Sequence, residues 1–403
     1  MNPLIAVLQL PRAEAARRGV AHTPREIGQQ PESWRATRAL LCRERERLSA
    51  FLTRAGFGPA GEAGKDGIPA VALIGAGSSD YIGRALAPLL ARRWRCEARA
   101  VASTDLLLPH SEPWLPGRRY LWISFSRSGD SPETVSVIEQ ALRQRPEIHH
   151  LLITCHADGN MAQAFAGRPN VSTIVLDEAV NDRGRAMTSS FTNMWLAGQS
   201  VAYLSDFPQW EHTVEALAGA AEGWLPRIAE AAAAASARRP QQVCVLGDGP
   251  QRAVADETAL KITELTAGKI LAWPQTFLGL RHGPMAALHE ATLIMALMSS
   301  DPPRRRYECD LLEELRRKQL AHHLLVWGAP AEQAEGSWNL GTDIASIPDC
   351  DRPPLDVLPG QLLALFCAMD LGLRPDEPSA GDVITRVVSR FPIYEPAIEQ
   401  DEI

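Results

Sequence analysis

The chain has 403 residues, of which 45% are hydrophobic and 22% charged, with a formal net charge of −7 at pH 7. This suffices for two or three packed domains, and the mildly acidic balance excludes the broad basic face with which proteins track nucleic acid. The seven cysteines form no CxxC pair, which excludes a zinc knuckle or disulfide framework and implies a reducing, cytoplasmic setting; no leader-like segment stands at the start, and no apolar run reaches membrane-spanning length.

Residues 1–45 read as a polar helical segment with Trp34 and Leu40 as packing points. A Gly- and Ala-rich stretch from Gly56 to Gly67 reads as a surface connection. Short apolar runs then alternate with helical patterns: Ala70–Ile74, Tyr120–Phe125, His150–Thr154 and Val171–Leu176. Runs of strand length with little internal polarity suit strands buried on both faces of a parallel sheet. After an Ala-rich helical stretch, Ala229 to Ala237, the scheme begins again with Gln242–Leu246, Ala291–Met298, His323–Trp327 and Asp343–Ile347. Each half opens with a strand followed by Gly-x-Gly, Gly75-Ala76-Gly77 and Gly247-Asp248-Gly249. The expectation is an α/β protein of two tandem domains, each a doubly wound, mostly parallel sheet flanked by helices. The segments are 1–45, 46–225 and 226–403, the last with a C-terminal tail. Ligands of such sheets sit at the carboxyl ends of the strands.

Two loops there suit an anion. Gly77-Ser78-Ser79 follows the first strand, where glycine allows close approach and helix amides with hydroxyls suit a phosphate; the same residues also suit a plain tight turn. Asp80 stands where a dinucleotide fingerprint needs its third glycine, so no cofactor site is read here, and no metal cluster is visible. The second loop, Ser126-Arg127-Ser128-Gly129-Asp130-Ser131-Pro132, is more specific: Ser131 reads as an N-cap with proline in the first turn, and the hydroxyls with Arg127 would cradle a dianion. Ala186 to Thr192 repeats the hydroxyl theme but could simply start a helix.

The acid–base candidates lie in the second half. Glu257, Lys261 and Glu264 are spaced by four and three and share one helical face. The same spacing suits a solvated face with a routine ion pair. His282, in the loop Leu280-Arg281-His282-Gly283-Pro284, is suited to proton transfer near neutrality. Together these groups suit aldose–ketose chemistry, in which one group opens the sugar ring and a carboxylate moves a proton between C1 and C2.

As a set, these motifs resemble the sugar isomerase (SIS) domain family, and within it the tagatose-6-phosphate ketose/aldose isomerase group of galactosamine-6-phosphate deaminase/isomerases. The entry His22-Thr23-Pro24-Arg25-Glu26-Ile27, the Ser124–Thr134 loop and the Pro274–Pro284 segment carry the closer likeness, which runs from about residue 25 to about residue 390. They also look like the isomerase half of glucosamine-6-phosphate synthase. The resemblance implies that Gly77, Ser78, Ser79, Ser126, Arg127, Ser128 and Ser131 hold the phosphate and nearby hydroxyls of a hexose or hexosamine 6-phosphate. It implies Glu264 as the C1/C2 proton shuttle, His282 as the ring-opening group, and Lys261 and Glu257 as support by charge. In the synthase the histidine comes from the neighbouring subunit, so a homodimer with shared sites is implied. Two departures stand out. The chain begins Met1-Asn2 without an N-terminal cysteine, so it is expected to release ammonia rather than draw it from glutamine. No lysine follows Lys318, so the synthase's C-terminal imine-forming lysine has no counterpart in Asp376–Ile384. A sugar-phosphate-sensing regulator is the reading from another class, but residues 1–65 are too short and too mixed in charge for its helix-turn-helix.

Overall fold

Apolar runs of strand length dictate two sheets. In the computed structural model, which describes residues 1–57, 70–108, 118–328, 339–340, 347–379, 384–389 and 391–394, both are present. The first contains β1 (Ala70–Gly75), β2 (Ala98–Ala102), β3 (Tyr120–Ser126), β4 (His149–Thr154) and β5 (Val171–Val175). The second contains β6 (Gln242–Leu246), β7 (Leu271–Gln275), β8 (Thr292–Leu297), β9 (His323–Trp327) and β10 (Asn339–Leu340). Their orders are β2-β1-β3-β4-β5 and β7-β6-β8-β9-β10, with every pairing parallel. The halves therefore share one doubly wound topology, as the repeated strand–Gly-x-Gly opening predicts.

The sequence does not announce β2 and β7. Both are edge strands whose residues are largely half-buried, and Arg99 and Pro274 interrupt their apolar character. Proline is tolerated at an edge because no ladder amide is needed on the open side. The expected strand Asp343–Ile347 lies, apart from Ile347, outside the described residues, as does the Gly56–Gly67 connection beyond Phe57.

The helices that position the site are α1 (Thr23–Gly28), α2 (Gln30–Arg54), α3 (Ser78–Trp94), α4 (Pro132–Gln144), α5 (Ser189–Ala202), α6 (Phe207–Ser236), α7 (Pro250–Leu265), α8 (Pro302–Arg317) and α9 (Leu358–Asp370). Divisions at 45/46 and 225/226 fall inside α2 and α6. Every residue of α5 is buried, its six Ser, Thr, Asn and Gln side chains hydrogen-bonded, and α9 is buried from Leu358 to Ala368. Helix α7 of the second half packs on α3 of the first. One continuous apolar core includes Val71 and Leu73 of the first sheet and Val243 and Val245 of the second. Among the described residues no helix is long and apolar enough to cross a membrane.

The N-terminal segment is fastened by polar bonds as well as by apolar packing. Trp34 is fully buried and donates from its indole nitrogen to Thr192 Oγ1 at 3.0 Å. The start of α1 is capped from far away: Asp376 accepts from the amides of Ala21 at 2.7 Å and Thr23 at 2.8 Å.

Candidate active site

The strand ends of the first sheet and the face of α7 meet around a cavity of about 240 Å³. One wall is the β1–α3 turn. Gly77 there has φ 56° and ψ −126°, which L side chains rarely adopt, and a Cβ on it would meet no atom within 4 Å. At Gly75 the need is steric, since a Cβ would lie 2.4 Å from the Ser79 carbonyl carbon. The turn thus delivers Ser78 and Ser79, both buried, to the first turn of α3 at the cavity edge.

The second wall is the β3–α4 loop. Its serines partly organise the loop itself: Ser126 Oγ accepts from the Gly129 amide at 3.1 Å, and Ser128 Oγ from the Asp130 amide at 3.2 Å. Ser131 occupies the expected N-cap position before Pro132, but its hydroxyl makes no capping bond, and the residue lines the cavity. Arg127 also lines the cavity, yet its guanidinium donates to backbone carbonyls, to Arg185 O at 3.0 Å and Arg386 O at 2.8 Å. Its main observed task is to tie two distant segments to the loop.

The third wall is α7. Lys261 is fully buried; its Nζ lies 3.4 Å from Glu257 Oε1, donates to Ser78 Oγ at 3.1 Å, and makes a short ion pair with Glu264. Burial opposes the ammonium charge, but the two carboxylates outweigh it and hold the lysine above its ordinary pKa. Glu257 is also fully buried, and burial pushes its carboxyl up to about 7 although Lys261 pulls the other way. Glu264 differs: its side chain is 38% exposed and borders the cavity. The expected shared face is therefore one site with a buried end and an open end.

His282 does not join this assembly within its own chain. It is exposed, is not among the cavity-lining residues, and sits in a loop whose Arg281 is held to α8 by an ion pair with Glu314 at 2.7 Å.

Four cavity residues escaped the sequence reading, Arg185, Arg386, Val387 and Val388, while Met187 belongs to the Ala186–Thr192 segment. Nη1 of Arg185 is buried without a hydrogen-bond partner, a donor left over beside an anion-suited cavity. Arg386 belongs to the C-terminal segment and is anchored by bonds to Asp182 O and Asn181 Oδ1, both at 2.6 Å. The hydroxyl-rich Ala186–Thr192 segment does start a helix. Asp182 accepts from the Thr188 amide at 2.7 Å and the Ser190 amide at 2.9 Å, with the Ser190 hydroxyl also turned onto it. A carboxylate at a helix N-terminus is the arrangement the helix dipole favours.

No family model matches the chain. It is 38% identical to a Streptomyces coelicolor protein provisionally named D-galactosamine-6-phosphate deaminase AgaS, over 93% of this chain and 95% of that protein. It is 33% identical to the D-galactosamine-6-phosphate deaminase AgaS of Shewanella sp. strain ANA-3, over 93% of this chain and 92% of the relative. The crystal structure of tagatose-6-phosphate ketose/aldose isomerase from Escherichia coli superposes with a TM-score of 0.78 at 30% identity, covering 89% of this chain and 95% of that one. With two sheets of one topology, this arrangement of loops and this extent of likeness, the chain belongs to the AgaS family of SIS-domain enzymes.

Proposed function

We propose that the protein is a cytoplasmic homodimer that converts galactosamine 6-phosphate and water into tagatose 6-phosphate and ammonia. The observation that carries this reading is the half-exposed carboxylate of Glu264, held by buried Lys261 and facing two loops suited to a phosphate. The relatives' names indicate the sugar and the release of ammonia.

The chemistry balances with the groups present. The ring opens to an aldehyde at C1 with the amine on C2. Glu264 removes the C2 proton while the C1 oxygen takes up a proton from the substrate's own ammonium, giving an enolamine, and Glu264 then returns its proton to C1, which leaves an iminium at C2. Water adds to C2, the carbinolamine expels ammonia, and the C2 ketone remains. The phosphate rests on the amides and hydroxyls of Ser78, Ser79, Ser128 and Ser131, with the spare donor of Arg185 beside them. Glu257 and Lys261 set the charge behind Glu264, and Lys261 stays an ammonium rather than a nucleophile. His282 assists ring opening in the partner's cavity, which its exposure away from its own cavity supports.

The test is ammonia and ketose production from galactosamine 6-phosphate, with glucosamine 6-phosphate and N-acetylgalactosamine 6-phosphate alongside. Both products from the galacto substrate are expected. Glu264→Gln lowers kcat by roughly 10²–10⁴-fold, the usual worth of a positioned proton-transfer group. Mixed dimers of Glu264→Gln and His282→Ala subunits regain activity if His282 works across the interface. Exchange of tagatose 6-phosphate with its aldose, without ammonia, would replace this reading by a plain isomerase.

A further inference from the structure

The two halves can be compared turn by turn. Ile74 stands opposite Ser124 in the first sheet and Leu246 opposite Ala296 in the second, equally far apart in sequence. Arg127 and Ser128 therefore correspond to Ser299 and Ser300. The glycine turns match as well: Gly77 has φ 56° and ψ −126°, and Gly249 has φ 57° and ψ −129°. Pro132 opens α4 and Pro302 opens α8. Beside the second set lies another cavity, of about 500 Å³, bordered by Pro250, Ser300, Asp301, Arg304 and Asp349.

The two turns differ in what covers them. A Cβ on Gly77 would meet nothing within 4 Å, whereas one on Gly249 would lie 2.9 Å from Nη1 of Arg304. That same Nη1 donates to Asp349 Oδ2 at 2.9 Å. Asp349 also accepts from the Ser300 amide at 2.6 Å, from Ser300 Oγ at 2.7 Å and from Ser299 Oγ, with Arg352 Nη2 at 3.7 Å from its other oxygen. A backbone amide, two hydroxyls and a guanidinium converging on two oxygens is the donor set that suits a phosphate. Neighbouring groups keep the loop in shape: Glu308 accepts from the Ser299 amide at 2.8 Å, and Arg305 donates to the Ser299 carbonyl at 2.7 Å. Burial works against the Asp349 charge, but the bonds from Ser299 and Ser300 and the nearby Arg352 hold the carboxyl below its ordinary pKa, so it stays an anion.

We propose that Asp349 is a built-in substitute for phosphate: the second half carries an anion cradle on the loop that corresponds to Arg127-Ser128, its own carboxylate fills it, and each chain therefore holds a single phosphosugar. Without Asp349 the cradle accepts inorganic phosphate on Ser299, Ser300 and Arg304. The inference does not depend on which sugar the enzyme processes, and its test reads phosphate binding rather than turnover.

The experiment is equilibrium dialysis of radiolabelled inorganic phosphate against wild type, Asp349→Ala and the double variant Asp349→Ala/Arg304→Ala. Asp349→Ala binds one phosphate per chain more than wild type, and the double variant loses that extra one. Thermal stability gives a second readout. Asp349→Ala gains more in Tm from phosphate than wild type does, measured against chloride at matched ionic strength. If Asp349→Ala does not fold in chloride, phosphate restores its near-ultraviolet circular dichroism. The proposal is overturned if Asp349→Ala binds no more phosphate than wild type and its stability responds no more strongly, or if its misfolding is indifferent to phosphate. A wild type that binds no phosphate, beside an Asp349→Ala that binds one, would count against the first-half cradle and leave this proposal standing.

Discussion

Glu257 and Glu264 sit on one helix face with the same lysine between them, yet their surroundings differ. Glu264 has water on one side, while Glu257 has none. Its carboxyl is held up at about 7, against an ordinary value of 4.5. Between these two values the folded chain keeps a proton that the unfolded chain has released, so stability falls as pH rises through that window and is fully present below it. Glu257→Gln is neutral throughout and escapes this loss. Its unfolding free energy should gain on wild type by roughly 3 kcal/mol between pH 4.5 and pH 7. Glu26 and Glu308, also raised by burial, titrate in both proteins and cancel in the difference. Chemical denaturation of the pair across that range checks it, and parallel stability curves would show that Glu257 does not hold this proton.

Elements meet at the site in ways that local spacing shows only in part. The i, i+4 and i+7 positions of α7 were legible because helical geometry alone places them on one face. The β1 and β3 loops were legible because glycine, hydroxyls and proline mark strand-to-helix turns. The edge strands β2 and β7 were not, since an edge strand needs no unbroken apolar run. Nor was the target of Arg127, whose guanidinium reaches carbonyls 58 and 259 residues away in sequence. Both terminal nitrogens of Arg127 donate to backbone carbonyls, whereas Nη1 of Arg185, from the segment between β5 and α5, is a buried donor without a partner, and under the proposed function it serves the phosphate. Arg185→Gln should therefore raise KM by roughly 10- to 100-fold, the worth of one charge-assisted hydrogen bond, with kcat changed far less. Initial-rate kinetics decide this, and an unchanged KM would remove Arg185 from substrate binding.

At the scale of the whole molecule the two halves share one apolar core. The core runs without interruption from the inner face of the first sheet to that of the second, and α9 lies buried within it. Lys261 of the second half reaches Ser78 of the first only because α7 and α3 are packed together. Calorimetry should show a single cooperative transition for the full chain; two resolved transitions would mean that the halves are stable separately.

The long-range cap on α1 bears on how the protein is made. The carboxylate that receives the Thr23 amide belongs to Asp376, 353 residues further along the chain. A ribosome delivers the N-terminal half first. The entry helix therefore lacks this cap until residue 376 has emerged. Arg386, which borders the cavity, lies ten residues beyond Asp376, so a nascent chain can neither cap α1 nor complete that wall of the cavity until this segment has been made.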